Sequence, residues 1–420
     1  MTPPAATPSS GTSGPSRSHD RPRTLLITLT GRDRPGVTST VFGTLAQFGV
    51  EVLDIEQILL RRRLILGLLV TAPPGWQKLR DAVERTAAEL DMTVEVEKGS
   101  GDNRARPEGR SHVTVLGSPL RSSAMAAVAG RIADVGGNID RIERMARYPV
   151  TAIDLHVSGI APERLRAMLA DEASRQGVDI AVQPANLLRR GMRLIVMDVD
   201  STLIQGEVIE MLAAHAGCED EVAAITEQAM RGELDFADSL RARVALLAGL
   251  DATALDKVYD DLVLAPGART TVRTLKRLGY RFAIVSGGFA QITDRLADDL
   301  GMDFSAANTL EIVDGRLTGR LVGPVVDRAG KAAALRRFAA ECRLAEAATI
   351  AIGDGANDLD MLTAAGLGIA FNAKPVVQEA AHAAVNVPYL DAIMYLLGIS
   401  REEIVAADAA YGITTPAPPL

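Results

Sequence analysis

Two aspartates stand one residue apart at the end of a short apolar run, in the sequence LIVMDVDST. They are Asp198 and Asp200, and Asp354 and Asp358 follow a second apolar run, TIAIGDGAND. Clustered carboxylates raise one another's pKa unless a cation holds them ionised, and oxygen ligands of this kind are those that Mg²⁺ prefers. A D-x-D pair alone is a weak signal, because Asp358 and Asp360 form another that we interpret as helical and mostly structural.

A third apolar run, FAIVSGG, ends in Ser286 and Gly287, and Lys331 lies in DRAGKAAAL at the start of a predicted helix. A hydroxyl, a backbone amide and an ammonium group are suited to binding phosphoryl oxygens. A carboxylate can attack phosphorus, and a second carboxylate two residues further on faces the same side of a strand. The second group can then donate a proton to the leaving oxygen and later accept one from water. Together these residues predict phosphate-ester chemistry.

The elements that must position these residues lie between residue 192 and about residue 408. Short apolar strands alternate with helical patterns there, which is typical of an α/β fold with a parallel sheet covered by helices on both faces. Active sites of such sheets form at the carboxyl ends of the strands. Residues 203–267 are predicted to be almost wholly helical and are too many for a simple crossover. We therefore expect an inserted helical cap in a catalytic domain spanning residues 186–408.

In chain order, DVDST, SGG, Lys331 and GDGAND resemble the four motifs of the haloacid-dehalogenase (HAD) superfamily of phosphotransferases. The resemblance implies a doubly wound parallel sheet, a Mg²⁺ cofactor and an aspartyl-phosphate intermediate. Asp198 would be the nucleophile and a metal ligand, and Asp200 the general acid/base that binds metal through its backbone carbonyl. Asp354 would complete the metal ligands, with Asp358 supporting it from behind. The residues that would hold the phosphate are Ser286, Gly287 and Lys331.

The predicted cap carries three residues that could select a substrate: Glu207, Phe236 and Arg243. Composition alone favours a surface helix with its charges in water. However, DSTLIQGE and ELDFADSLRARV resemble the phosphoserine phosphatase family, which acts on O-phospho-L-serine in the last step of serine biosynthesis. The resemblance implies that Glu207 pairs with the substrate ammonium and Arg243 with its carboxylate. Phe236 would close the pocket, and Asn357 would contact the phosphate or the product.

The N-terminal half contains the order β-α-β-β-α-β twice, which predicts two ferredoxin-like units. We place them at residues 23–96 and 112–185, with a polar linker at 97–111. Both resemble ACT domains, which often bind amino acids and pair with one another. The resemblance suggests a regulatory site for L-serine at the DRPG turn of the first copy, around Asp33, Arg34 and Gly36. The second copy lacks that turn, so an equivalent site there is in doubt.

Composition limits the remaining classes of function. The net charge is −8 with a single tryptophan and no long basic run, which argues against nucleic-acid binding. No apolar stretch reaches the roughly 18 residues that a membrane helix needs, and the two cysteines fit a reducing cytoplasm. The five histidines are scattered, and we interpret them as structural or surface residues. Residues 1–22 and 409–420 are predicted as terminal tails, the first of them disordered.

Three alternatives remain open from the sequence. The chain could be a HAD phosphatase or phosphotransferase that acts on another small phosphate ester, or on a phosphoprotein. It could also be a non-catalytic amino-acid sensor, although every catalytic position is filled. Because ACT domains pair with one another, we expect a homodimer rather than a monomer.

Overall fold

The computed structural model describes residues 23–101, 109–191, 193–230 and 233–416 of the chain. The predicted N-terminal tail, residues 1–22, and the central part of the predicted linker lie outside these residues. The chain divides into two compact units, Met1–Ala105 and Arg106–Leu420. None of the described helices is both long enough and apolar enough to cross a bilayer.

The elements alternate regularly along the chain. The strands are β1 (Arg23–Arg32), β2 (Val52–Leu60), β3 (Arg63–Thr71), β4 (Met92–Ser100), β5 (Ser111–Gly117), β6 (Asn138–Ala146), β7 (Thr151–Ser158), β8 (Asp179–Pro184), β9 (Leu194–Met197), β10 (Arg281–Phe289), β11 (Phe304–Val313), β12 (Arg316–Val322), β13 (Thr349–Gly353), β14 (Leu367–Phe371) and β15 (Ala383–Val385). The α-helices are α1 (Val37–Ala46), α2 (Trp76–Glu89), α3 (Ser122–Asp134), α4 (Pro162–Gln176), α5 (Val208–Ala216), α6 (Glu219–Met230), α7 (Phe236–Ala245), α8 (Thr253–Asp261), α9 (Ala268–Arg277), α10 (Ala290–Leu300), α11 (Arg328–Glu341), α12 (Leu359–Ala364), α13 (Pro375–Ala380), α14 (Ile393–Leu396) and α15 (Arg401–Ala409). Short 3₁₀ helices span Leu187–Arg190, Glu346–Ala348, Ala356–Asp358 and Leu390–Ala392.

The first unit is a four-stranded antiparallel sheet in the order β2-β3-β1-β4, with α1 and α2 packed on one face. Alternation in the sequence produces this arrangement, because Leu25, Ile27 and Leu29 of β1 all point to the helices and are fully buried. Leu26, between them, points to the other face and is 41% exposed. The predicted ferredoxin-like fold is confirmed.

The second unit begins with the same topology, in which β5 pairs with both β7 and β8, and β6 pairs with β7. Helices α3 and α4 cover one face, over a core that includes Val113, Val115 and Leu155. The opposite face of this sheet is covered as well. Ala152 and Ala181 belong to the same apolar cluster as residues of β9.

The remaining strands form a sheet in the order β12-β11-β10-β9-β13-β14-β15, in which all neighbours except β12 and β11 pair in parallel. All four residues of β9 are buried, as expected for a central strand with helices on both faces. The strand order reverses at β9, since β10 lies on one side of it and β13 on the other. Such a reversal is where ligands bind in open α/β sheets. The predicted doubly wound sheet is confirmed, and helices α5 to α8 fall within the predicted cap segment.

Three features of this unit were not predicted. Strands β11 and β12 form an antiparallel hairpin at one edge of the sheet. At the other edge β15 pairs with β8 at Ala383 and Ala181, so the second ACT-like sheet and the catalytic sheet are one sheet of eleven strands. The predicted C-terminal tail packs back as far as Pro416, whose carbonyl accepts a hydrogen bond from Arg401.

Candidate active site

Asp198 directly follows β9 and is 3% exposed. Its Oδ1 accepts hydrogen bonds from the Val199 amide at 2.8 Å and from Lys331 Nζ at 2.8 Å. Burial and the neighbouring charge of Asp358 raise the pKa of Asp198 well above its usual range, and the Lys331 ammonium opposes that rise. The carboxylate is therefore held at the bottom of the site by a buried cation.

Lys331 lies in the first turn of α11 and has no exposed surface. Asp327 caps this helix by accepting a hydrogen bond from the Gly330 amide at 2.8 Å, which fixes where the helix begins. The Lys331 ammonium donates to Asp358 Oδ1 at 2.7 Å as well as to Asp198. Burial alone would lower the pKa of Lys331, but the two carboxylates outweigh burial and raise it. Lys331 is therefore a permanent positive charge.

Asp200 has different hydrogen-bond partners from Asp198. Its Oδ1 accepts a hydrogen bond from the Val208 amide at 2.8 Å, and its Oδ2 accepts one from the Ser286 hydroxyl at 3.0 Å. The Gly288 amide in turn donates to Ser286 Oγ at 2.7 Å. A side chain at Gly288 would place its Cβ 2.9 Å from Asp200 Oδ2, so this approach requires glycine. The carboxylate of Asp200 is thereby oriented by β10 and by the start of α5.

Carboxylate oxygens of Asp198, Asp354 and Asp358 lie within 4.8 Å of one another. Burial and the charge of Asp358 raise the pKa of Asp354 to about 6, although the Thr202 hydroxyl donates to its Oδ1 at 2.9 Å. Asp358 is already engaged at both oxygens, by Lys331 and by the Gly355 amide at 3.0 Å. This concentration of negative charge, compensated in part by Lys331, fits a divalent cation bound by hard oxygen ligands.

A cavity of about 670 Å³ opens above these carboxylates. Its wall includes most of the residues predicted from the sequence: Asp198, Asp200, Glu207, Phe236, Arg243, Gly287, Asp354 and Asn357. Ser286, Lys331 and Asp358 lie behind this wall, where Ser286 contacts Asp200 and Lys331 contacts Asp198 and Asp358. The structure thus brings all of the predicted catalytic and substrate residues to one place.

Arg243 is only 8% exposed, and its Nε makes no hydrogen bond within the described part of the chain. The buried hydroxyl of Ser239, one helical turn earlier on α7, also has no partner there, and both residues line the cavity. Buried polar groups without partners are costly, and they mark a place for a polar ligand. Ser239 was missed in the sequence.

Glu207 lies on the same wall, just before α5. Burial raises its pKa to about 7, the charges of Asp200 and Glu210 add to the rise, and Arg243 opposes it. Burial also lowers the pKa of Arg243, with Glu207 acting in the opposite direction. A cation-binding and an anion-binding side chain therefore face one cavity.

Phe236 is the first residue of α7, a helix capped by Asp235, whose side chain accepts a hydrogen bond from the Asp238 amide at 2.8 Å. The Phe236 ring reaches the last residues of β10, next to Ser286, since a Cβ added at Gly287 would lie 2.8 Å from Phe236 Cζ. The aromatic ring thus covers the end of β10 from the side of the cap.

The predicted regulatory residues belong to the first unit. Asp33, Arg34 and Gly36 are exposed in the turn between β1 and α1, where Gly36 has a φ of 97°. The Arg34 guanidinium donates to the Leu90 carbonyl at the end of α2. A cavity of about 500 Å³ in this unit lies on the open face of the sheet and is lined by other residues.

The structure also brings together two histidines that we interpreted as scattered. His112 and His156 face each other on neighbouring strands, with ring centroids 4.4 Å apart, and both lie close to Asp154. The D-x-H spacing of Asp154 and His156 places both side chains on one face of a strand, which was the available signal. The closeness of these two side chains was not predicted, and their interpretation as structural or surface residues stays a prediction.

Comparison with protein families agrees with the domains seen in the structure. Residues 195–363 match the haloacid dehalogenase-like hydrolases. Residues 23–97 and residues 110–183 each match an ACT domain.

Two relatives are similar to this chain along almost its whole length. A phosphoserine phosphatase of Streptomyces coelicolor is 62% identical over 395 residues, which are 94% of this chain and 96% of the relative. A phosphoserine phosphatase of Mycobacterium tuberculosis is 53% identical over 392 residues, 92% of this chain and 95% of the relative. Among solved structures, a HAD family hydrolase from Salmonella enterica serovar Typhi matches with a TM-score of 0.61 and 31% identity, over 68% of this chain and 98% of that one.

Proposed function

Because this chain belongs to the phosphoserine phosphatases of the haloacid dehalogenase-like hydrolase family, we propose that it hydrolyses O-phospho-L-serine to L-serine and phosphate. The proposal rests on a single cavity that has groups suited to phosphate chemistry at one end and a pair of opposite charges on its side. Its floor is formed by the carboxylates of Asp198, Asp200 and Asp354, with Lys331 behind Asp198. Its side holds Glu207 and the buried Arg243. A phosphate ester of an amino acid is the ligand whose charges match both.

In the proposed reaction, an oxygen of Asp198 attacks phosphorus and forms an aspartyl-phosphate while the bond from phosphorus to the serine oxygen breaks. Asp200 donates a proton to the departing oxygen, which leaves as the serine hydroxyl. Asp200 then removes a proton from water, and the resulting attack releases phosphate and regenerates Asp198. The Ser286 hydrogen bond to Asp200 supports these roles because it fixes the direction of the carboxylate.

Asp198, Asp354 and the backbone carbonyl of Asp200 would hold Mg²⁺, which supplies positive charge next to the transferring phosphoryl group. The raised pKa values of Asp198 and Asp354 support this assignment, because a cation at their carboxylates would favour the ionised forms. Lys331 holds Asp198 in place and contributes charge to the phosphoryl oxygens. Asp358 keeps Lys331 and the Gly355 amide in position.

Residues of the cap would select the substrate. Arg243 would bind the serine carboxylate with its planar fork, assisted by the Ser239 hydroxyl, and Glu207 would bind the ammonium group. Phe236 would exclude water above Gly287, and Asn357 would contact the phosphate. The two unpartnered buried groups, Arg243 Nε and Ser239 Oγ, support this arrangement.

A substrate panel tests the proposal. We expect phosphate release from O-phospho-L-serine in the presence of Mg²⁺, with much lower kcat/KM for a sugar phosphate. We also expect lower kcat/KM for 3-phosphoglycerate, which replaces the ammonium group by a hydroxyl. Asp198→Asn should keep the fold and abolish turnover with every ester. Equal kcat/KM for phosphoserine and 3-phosphoglycerate would contradict the substrate assignment, and retained activity of the Asp198→Asn variant would contradict the mechanism.

The proposal extends to regulation. We propose that L-serine, the product, binds at the first ACT domain near Asp33, Arg34 and Gly36 and inhibits the enzyme. The exposure of this turn and its position beside the end of α2 support access for a small ligand.

We also propose a homodimer that uses the first ACT domain. Strand β2 lies at the edge of its sheet, and its apolar residues are exposed: Val52, Leu53, Ile55, Ile58, Leu59 and Leu60. A long apolar edge strand of this kind is the usual place for pairing with another chain. Light scattering on the purified chain measures the state directly, and a monomer at micromolar concentration would contradict this assignment.

A further inference from the structure

A second group of potential metal ligands lies outside the catalytic cavity, on one face of the second ACT domain. The antiparallel register of β5 and β7 pairs His112 with His156 and Thr114 with Asp154. On the other side of β7, Glu143 of β6 is paired with Asp154. Cross-strand partners point to the same face, so these side chains converge above the sheet.

The distances within this group fall into two classes. His112 Nδ1 is 2.8 Å from Asp154 Oδ2, which is a hydrogen-bond distance. His156 Nε2 lies 3.6 Å from Asp154 Oδ2 and 3.7 Å from Glu143 Oε2. These separations are too long for hydrogen bonds. His156 therefore points between two carboxylates without bonding to either.

Such separations are those of atoms that share an ion. Two ligands each about 2.1 Å from a tetrahedral zinc ion are roughly 3.4 Å apart. One ligand atom from each of His112, Asp154 and His156 lies within 4.8 Å of the others. A small outward movement of His112 would lengthen its 2.8 Å separation from Asp154 to ligand spacing, with the ion replacing the proton between the two side chains.

We propose that His112, Asp154 and His156 form a binding site for a divalent transition-metal ion of the Zn²⁺ class. Glu143 lies outside this group of three, but its Oε2 is 3.7 Å from His156 Nε2, so it is the carboxylate that would move in as a fourth ligand. Two imidazole nitrogens with carboxylate oxygens are a ligand set for zinc, nickel or copper, whereas Mg²⁺ and Ca²⁺ prefer oxygen alone. The site is therefore chemically distinct from the all-oxygen cluster of the catalytic cavity.

The surroundings of the buried carboxylate suit this role. Asp154 has a side chain 2% exposed, Thr114 donates to its Oδ1 at 3.1 Å, and Arg189 donates to its Oδ2 at 3.3 Å. Ligating carboxylates and imidazoles commonly keep such additional hydrogen bonds, which orient them. The imidazoles of His112 and His156 are 14% and 27% exposed, so an ion can enter from solvent.

Two guanidinium groups set the strength of the site. Arg189 contacts Asp154, and Arg141 binds Glu143 Oε1 at 2.8 Å, so both reduce the negative charge available to an ion. We therefore expect reversible binding, weaker than that of a cysteine-rich zinc site. Arg189 also donates to the Leu396 carbonyl in the catalytic part of the unit. An ion bound to Asp154 would therefore change the position of Arg189, and with it the contact between the second ACT domain and the catalytic domain.

The test is a Zn²⁺ titration of the full, tag-free chain after chelator treatment, in excess Mg²⁺ so that the catalytic carboxylates are occupied. Bound zinc is counted by equilibrium dialysis with elemental analysis. Co²⁺ is titrated in parallel, because its visible absorption reports nitrogen ligands. The variants are His156→Ala, which removes no hydrogen bond seen in the described chain, and His112→Asn, which keeps a donor to Asp154. His215→Ala, an exposed histidine on α5, is the matched control.

We expect the unchanged chain and His215→Ala to bind one more equivalent of Zn²⁺ than either site variant. If the number of equivalents is the same, we expect the additional Zn²⁺ to bind at least tenfold more tightly to the unchanged chain and to His215→Ala than to the site variants. The Co²⁺ absorption should be lost in both site variants. Equal zinc stoichiometry and affinity in the unchanged chain and in folded His156→Ala would overturn the proposal. So would complete displacement of the zinc by Mg²⁺, because that behaviour belongs to an oxygen-only site.

Discussion

Replacing Arg243 by lysine tests substrate recognition most directly. Lysine keeps the positive charge that lowers the pKa of Glu207, so the charge balance of the cavity stays the same. It loses the planar fork, which can bind both oxygens of a carboxylate at once. The change therefore removes the proposed bidentate hydrogen bonding to the substrate carboxylate while leaving the electrostatics of Glu207 nearly intact.

The size of the effect follows from burial. Arg243 is 8% exposed and its Nε has no partner in the described chain, so water cannot take over the lost contact. A hydrogen bond to a charged group contributes about 1.5–3 kcal/mol. Losing one of the two bonds of the fork should lower kcat/KM for phosphoserine by about 10- to 150-fold, since about 1.4 kcal/mol is a factor of ten.

Phosphoethanolamine supplies the internal control for this experiment, because it has the phosphate and the ammonium group but no carboxylate. The assay compares kcat/KM for both esters in the unchanged chain, in Arg243→Lys and in Arg241→Lys, an exposed neighbour on the same helix that pairs with Asp238. We expect the large loss only for phosphoserine and only in Arg243→Lys. An equal loss for both esters would show that Arg243 supports the cavity rather than the carboxylate, and would refute the reasoning.

Four further outcomes are expected. Since the pKa of Glu207 is about 7, kcat/KM for phosphoserine should fall about tenfold per pH unit below that value, and Glu207→Gln should remove this limb from the pH profile. EDTA should abolish phosphate release, and added Mg²⁺ should restore it. Lys331→Met leaves Asp198 without its cation and should lower the free energy of unfolding by about 3 kcal/mol at pH 7.5. The loss should be smaller at pH 5, because a carboxyl with a raised pKa accepts a proton as the pH falls; urea titrations at the two pH values measure it. L-serine should inhibit the full chain, and Asp33→Ala should weaken that inhibition without changing kcat.

The catalytic floor could be predicted because each residue follows a strong local signal. Asp198 directly follows a run of four buried apolar residues, and Lys331 lies in the first turn of a helix capped by an aspartate. Parallel strands bring such positions to one edge regardless of the details of packing. In the cap the sequence pattern alone favoured a surface helix, and the family resemblance singled out Glu207 and Arg243, which both line the cavity.

Features that depend on contacts between distant segments were missed. The pairing of β15 with β8 rests on a single pair of residues, Ala383 and Ala181, and no local pattern indicates it. The hairpin of β11 and β12 could have been predicted from the Asp-Gly pair at its turn. Asp314 and Gly315 both have positive φ, which is the conformation that such two-residue turns require. The unpartnered Nε of Arg243 required the packed structure, since burial cannot be read from one helix.

Because the sheet is continuous, the choice of truncation decides whether an experiment can distinguish regulation by the ACT domains from damage to the catalytic domain. The second ACT domain shares strand pairing and an apolar cluster with the catalytic domain, since Ala181 and Ala152 belong to the same cluster as residues of β9. A chain that begins near residue 186 would lose β8 and expose that apolar surface, so its lower activity would report damaged packing as well as lost regulation. The first unit, residues 1–105, has its own closed core. Removing that unit alone keeps the eleven-stranded sheet whole, and any serine response that disappears with it can then be attributed to the first ACT domain.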